Sequence, residues 1–223
     1  MPSKNIIKTY VEDGYYHIYN RGVEKRQIFL DEQDCKVFLH YLRLYLSPKE
    51  ELLKTPNITK RLDKFILKNL SQEIDLLCFT LMPNHIHLLV KQYTTEGMAK
   101  LMKRLSVAYV AYFNKKHKRI GHLFQDTYKA ALITKDPYLL HLTRYIHLNS
   151  KDLSTNINFL EFSSYPYYLG EKSASWIKPQ EILKHFNNNK QSPNYNQFSY
   201  KSFVEDYKKD SKEILGGLIL EED

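Results

Sequence analysis

Glycine and cysteine are scarce in this chain, and each scarcity removes a class of function. The seven glycines among 223 residues form neither GxxxxGK nor GxGxxG, the loops whose backbone amides cradle nucleotide phosphates, so an ATP-driven enzyme is not expected. Only Cys35 and Cys78 are present, far apart and without a CxxC or Cys/His zinc spacing. A disulfide framework and a zinc finger are both excluded, and a reducing cytoplasm is the expected compartment. No stretch approaches the roughly 18 uncharged apolar residues of a membrane span. The start, MPSKNIIKTYVEDGYY, lacks an apolar signal core, so no membrane association is expected.

Acidic residues are in the minority, 25 against 33 lysines and arginines, for a formal net charge of +8. That balance suits a polyanionic partner or a solvated basic surface. The excess is concentrated: Lys100, Lys103, Arg104, Lys115, Lys116, Lys118, Arg119 and Lys129 face the single acid Asp126 between Gly97 and Ala130. Tyr109, Tyr112, Phe113, Phe124 and Tyr128 are interleaved, as stacking faces beside cations are in single-strand binders. For at least two of Tyr109, Tyr112 and Phe113, however, helical spacing favours the core.

The 43% apolar content supports one compact domain with an appendage. Tyr15 to Asn20 is β-prone and stops at Asn20-Arg21-Gly22, a turn signal. From the N-cap candidate Asp31, Cys35, Phe38, Leu39, Leu42, Tyr45 and Leu46 recur at helical spacing until Pro48. Ile58, Leu62, Phe65, Ile66 and Leu70 predict a shorter helix, here taken as an insertion. IDLLCFTLMPNHIHLLVKQ predicts a hairpin turning at Pro83-Asn84. Residues 95 to 116 predict a long amphipathic helix, 128 to 134 a strand, and Asp136-Pro137 the start of a helix carrying Tyr145. The order predicts an α+β fold, a ferredoxin-like antiparallel sheet with helices packed on one face, plus an irregular C-terminal extension. Expected boundaries are an N-terminal tail at 1–14, a catalytic domain at 15–150, the extension at 151–208 and a mobile acidic tail at 209–223.

His85 and His87 flank Ile86 in a strand, so both imidazoles leave the same face with Cα atoms about 7 Å apart, near enough to share a cation. The same alternation also describes two polar residues on a wet face. Tyr145 and Asn149 lie one helical turn apart and can meet on one face. A phenol is a weak nucleophile at neutral pH, so a catalytic Tyr145 needs a metal-polarised phosphate or a proton acceptor such as His141, one turn earlier. By itself Tyr145 is one of 18 tyrosines and equally a core residue.

The ordered strings YHIYNRG, PNHIHLLV, GHLFQDTYKA, YLLHLTRYIHLNS and EFSSYPYYLG, with a weaker FVEDY, resemble the REP-associated tyrosine transposases, members of the HUH group of single-tyrosine, single-strand transposases. The resemblance runs from about Tyr15 to about Tyr207. It implies that His85 and His87 bind a metal, that Asn149 is a third ligand and that Tyr145 is the nucleophile. The implied reaction is cleavage and rejoining of single-stranded DNA beside hairpins through a 5′-phosphotyrosine. Mg²⁺ or Mn²⁺ is the expected ion, Mn²⁺ suiting imidazole better. The expected partner is a hairpin with a single-stranded flank, bound by a monomer or homodimer.

Lys115, Lys116, Lys118 and Arg119 are the leading phosphate-contact candidates, with Lys100, Lys103, Arg104 and Gln125 beside them. Three features depart from the family pattern. Gln125 is followed by Asp126 and Thr127 where an Arg often stands, Asn149 by Ser150-Lys151-Asp152 where Pro and a base are common, and the segment from Ser47 to Ser71 is longer than usual. A hairpin-binding protein that does not cleave and a water-using metal nuclease are the competing functions.

Overall fold

A computed structural model describes residues 10–54, 68–150, 153, 155–186, 195–206 and 215–216, with the backbone alone for 195–199. The periodic run from Ile58 to Ile66, Lys151-Asp152 and most of the acidic tail lie outside the described residues. Four antiparallel strands, β1 (Tyr15–Arg21), β2 (Ile74–Met82), β3 (His85–Gln92) and β4 (Lys129–Ile133), form one sheet in the order β2-β3-β1-β4. Two long helices connect them: α1 (Glu32–Leu46), followed by the short α2 (Lys49–Leu53), and α3 (Gly97–Lys116). α4 (Asp136–Leu148) follows β4, and α5 (Tyr165–Tyr168), α6 (Gln180–Leu183) and α7 (Tyr195–Glu205) belong to the extension.

Strand alternation divides the side chains between two cores. Ile18, Ile86, Leu88, Val90, Phe79 and Leu81 meet Cys35, Phe38 and Leu42 of α1 and Leu101, Leu105 and Tyr109 of α3. Burying each such side chain contributes roughly 1.5–3 kcal/mol. On the other face, Cys78, Leu89 and Ile133 meet Leu139, Leu142 and Ile146 of α4, backed by Tyr168, Ile182 and Leu183. The α+β class and antiparallel sheet are as expected, but the helices cover both faces rather than one. The two connecting helices share a face; α4 is apolar enough to fill the other, and helical periodicity does not say which face of a sheet a helix selects.

Local chemistry explains the boundaries. The Asp31 carboxylate accepts from the Asp34 amide at 3.0 Å and caps α1. Pro137 sits in the first turn of α4, where a missing N–H is harmless. Pro83-Asn84 joins β2 to β3 with Met82 opposite His85. Gly22 lies so close to the chain after it that an added Cβ would fall 2.2 Å from the Arg26 carbonyl oxygen. The Gly22 amide donates to the Asn84 carbonyl at 2.8 Å, tying the end of β1 to the hairpin turn.

The extension packs against the sheet rather than merely trailing from it. A register shift between Leu76 and Cys78 makes Leu77 an extra residue in β2, and the Leu77 carbonyl accepts from Tyr168 Oη at 2.8 Å. The Phe79 amide donates to Ser164 Oγ, the Ser164 amide to the Phe79 carbonyl, and the Lys178 amide to the Leu76 carbonyl. The outer edge of β2 is thereby occupied. Cys35 and Cys78 are buried free thiols. Among the described residues no helix is long and apolar enough to cross a membrane.

Candidate active site

Register places the site on the α4 side of the sheet. Tyr19 pairs with His87 and Arg21 with His85, so these four side chains share a face with His17, two residues back in β1. The His85 and His87 rings are 5.0 Å apart between centroids and nearly perpendicular. His85 Nδ1 is 2.7 Å from Asn84 Oδ1, and His87 Nδ1 is 2.9 Å from His17 Nε2. The Tyr19 ring lies 5.4 and 5.1 Å from the two imidazoles.

α4 brings the other two expected residues to this patch. The Tyr145 ring stands edge-on to His87, with centroids 5.7 Å apart. Asn149 retains helical backbone angles just beyond the last turn, so its side chain stays on the Tyr145 side of the helix. Its Nδ2 is 3.4 Å from His87 Nε2. Tyr145 is 4% exposed and His87 fully buried. His141, by contrast, has Nδ1 2.8 Å from Arg144 Nη2 and packs on Phe203. Burial and the Arg144 charge lower its pKa. Arg144 is itself buried over the Phe203 ring.

Two imidazoles and an amide form a donor set suited to Mn²⁺ or Mg²⁺. Contacts through Nδ1 orient both rings so that Nε2 would be the nitrogen offered to a cation, and a half-turn of the Asn149 amide would offer Oδ1. The residues therefore fit a divalent ion. Among the described residues no group of three or more His, Cys, Asp or Glu side chains is placed to hold a metal.

A sequence model described as "Transposase IS200 like" matches residues 36–149, just over half of the 223-residue chain, and spans both histidines, Tyr145 and Asn149. The chain belongs to the IS200-like transposase family. This bears out the resemblance drawn from the motifs and makes the protein a DNA-cleaving and strand-transferring enzyme of the single-strand transposase type. No curated protein matches it. Among solved structures, it is similar to a REP-associated tyrosine transposase bound to a REP hairpin, at 12% identity and TM-score 0.48, over 79% of this chain and 92% of that one. It is also similar to a candidate transposase from Deinococcus radiodurans R1, at 14% identity and TM-score 0.37, over 66% and 97%. A Saccharomyces cerevisiae tRNA(His) guanylyltransferase aligns at 15% identity and TM-score 0.37, over 89% and 82%.

The expected DNA contacts divide in this transposase-family fold. α3 packs on the face opposite the histidines, and Tyr109 and Phe113 are core residues rather than stacking platforms. Tyr112 donates to Asp34 at 3.1 Å. Lys100 is paired with Glu73 and Glu96, Lys116 with Asp31 and Asp34, and Arg104 donates to the Lys68 carbonyl. Lys100, Lys116 and Arg104 are thus engaged within the chain. Lys103, Lys115 and Lys118 are exposed, and Arg119 braces the following loop through Asn114 and the His122 carbonyl. That loop returns to the site: the Gln125 amide donates to the Arg21 carbonyl at 2.8 Å, placing Gln125 beside the residue opposite His85.

Three site neighbours were not singled out from sequence. His17, Tyr19 and Arg21 follow from alternation along YYHIYNR, had that strand been read for polar residues on one face. Arg21 Nε donates to Tyr19 Oη at 2.6 Å, and Lys129 lies opposite Tyr19 in the ladder. Arg21 of β1 and Lys129 of β4 are therefore two cations on the site face, Arg21 beside Gln125.

Proposed function

We propose that this protein cleaves and rejoins single-stranded DNA beside hairpins, with Tyr145 as the nucleophile. The observation that carries the reading is the seating of the Tyr145/Asn149 turn on the His-Ile-His strand, with the Asn149 amide 3.4 Å from His87 Nε2. Tyr145 Oη forms a bond to the scissile phosphorus, the bond to the 3′ oxygen breaks, and the phenolic proton is replaced by one on the departing 3′-OH. The 5′ end stays on Tyr145. Because no water is consumed, another 3′-OH can attack the phosphotyrosine and restore a strand. This is the exchange that transposition needs and hydrolysis forfeits.

His85, His87 and Asn149 would hold Mg²⁺ or Mn²⁺, which when bound supplies positive charge at the scissile phosphate. Arg21 and Lys129 add cations on the same face and Gln125 a polar contact at its edge. A hairpin is the favoured partner because the motif resemblance implies one and the REP-associated relative was solved on one.

The test is a denaturing gel of the protein with an end-labelled hairpin bearing a single-stranded flank, in Mn²⁺. A slow-migrating covalent band is expected, absent from Tyr145→Phe, which keeps the fold and DNA binding. Cleavage without that band would identify a water-using nuclease, and binding without cleavage a hairpin reader. Full adduct yield in Tyr145→Phe would remove Tyr145 from the chemistry.

A further inference from the structure

His17 is fully buried in the middle of β1, where a strand of this apolar content would ordinarily place valine or isoleucine. It lies diagonally from His87 across the β1–β3 ladder, since Tyr19 rather than His17 is the direct partner. Its Nε2 is nevertheless 2.9 Å from His87 Nδ1, and the two rings are 17° from parallel with centroids 5.1 Å apart, the edge-to-edge arrangement that a bond in the ring planes requires. A buried imidazole pair is costly unless each polar atom is answered, so this contact is a specific device rather than filler.

We propose that His17 is a positioning residue for the metal centre, holding His87 in the tautomer that leaves Nε2 free to ligate. The inference rests on the reading of His85 and His87 as ligands. A neutral imidazole has one N–H. If Nε2 gives its lone pair to a cation, the proton resides on Nδ1, and Nδ1 needs an acceptor. His17 Nε2 stands at that point, so it accepts the hydrogen bond and carries its own proton on Nδ1. The His17 contact would thus perform for His87 what Asn84 Oδ1 performs for His85. Metal-bound histidines are commonly oriented through their second nitrogen, and loss of that partner typically weakens metal binding about 10–100-fold. Contact with the Tyr19 ring further restricts ring rotation.

Mn²⁺ affinity, measured calorimetrically without DNA, tests the proposal. His17→Ala should weaken Mn²⁺ binding by about 10–100-fold, while His17→Gln, whose amide oxygen can accept the same hydrogen bond, should recover most of it. A tautomer measurement on the unaltered protein separates positioning from packing: imidazole ¹H–¹⁵N spectra with Mg²⁺ should show the His87 proton on Nδ1 and none on His17 Nε2. That spectrum decides even if His17→Ala fails to fold. A folded His17→Ala binding Mn²⁺ as the unaltered protein does overturns the proposal while leaving the metal site intact, whereas a His87 proton on Nε2 in the Mg²⁺ form overturns both the proposal and the reading of His87 as a ligand. If the unaltered protein binds no Mn²⁺, or His85→Ala does not reduce its affinity, the metal reading and this proposal fall together.

Discussion

Lowering the pH should strip stability from this protein through His147, on the side of α4 turned away from the sheet histidines. Its Nδ1 is 2.8 Å from Tyr200 Oη, and its Nε2 is 2.6 Å from Ser164 Oγ and 3.2 Å from Cys78 Sγ. The Tyr165 and Tyr168 rings close the cage. None of these partners is a carboxylate. Burial accordingly lowers the His147 pKa from 6.5 to about 3. Because the folded value is depressed, the unfolded chain takes the proton first. The contribution is complete above about pH 6.5 and is lost as pH falls towards about 3. At about pH 5 the loss is ~2 kcal/mol, since 1.5 pH units lie below the unfolded value at 1.36 kcal/mol each. Urea unfolding followed by the single, buried Trp176 measures this directly. Unaltered protein should lose ~2 kcal/mol more than His147→Gln between about pH 7 and pH 5. Equal losses in the two proteins would refute the reasoning.

Two further predictions concern DNA. Lys115→Gln with Lys118→Gln should weaken binding to all strands and flatten the salt dependence of log K by up to about two charges' worth, with stability unchanged. Lys116→Gln should mainly lower the unfolding midpoint, because it leaves the buried Asp34 carboxylate short of a partner; an unaltered midpoint refutes this. In a competition titration at fixed salt, a hairpin with a single-stranded flank should displace labelled substrate at lower concentration than plain duplex of equal length. Tighter duplex binding would end the single-strand reading.

The parts of the site legible in sequence depend on short periods. His85 and His87 share a face because strands alternate, and Tyr145 and Asn149 share one because helices turn every 3.6 residues. Asp31, Pro83-Asn84 and Asp136-Pro137 likewise mark boundaries by chemistry that acts within a few residues. What stayed hidden are contacts between distant segments. Nothing local in Lys116 announces Asp34, 82 positions away, and nothing in His17 announces His87, 70 positions away. The basic run between Gly97 and Ala130 suggested a DNA track, but packing of α3 turned several of its cations to intramolecular use. The side of the sheet chosen by α4 was illegible for the same reason, and that choice brings Tyr145 to the histidines.

The occupied edge of β2 bears on how this enzyme tolerates shortening. A chain ending at Ser150 would retain His85, His87, Tyr145 and Asn149, yet would lose the groups from Ser164 to Lys178 that hydrogen bond along β2. It would offer a bare strand for edge-to-edge pairing with other copies. α4, which carries Tyr145, would also lose the apolar backing of Tyr168, Ile182 and Leu183. Trimming to residues 15–150 should therefore yield aggregates rather than a smaller enzyme.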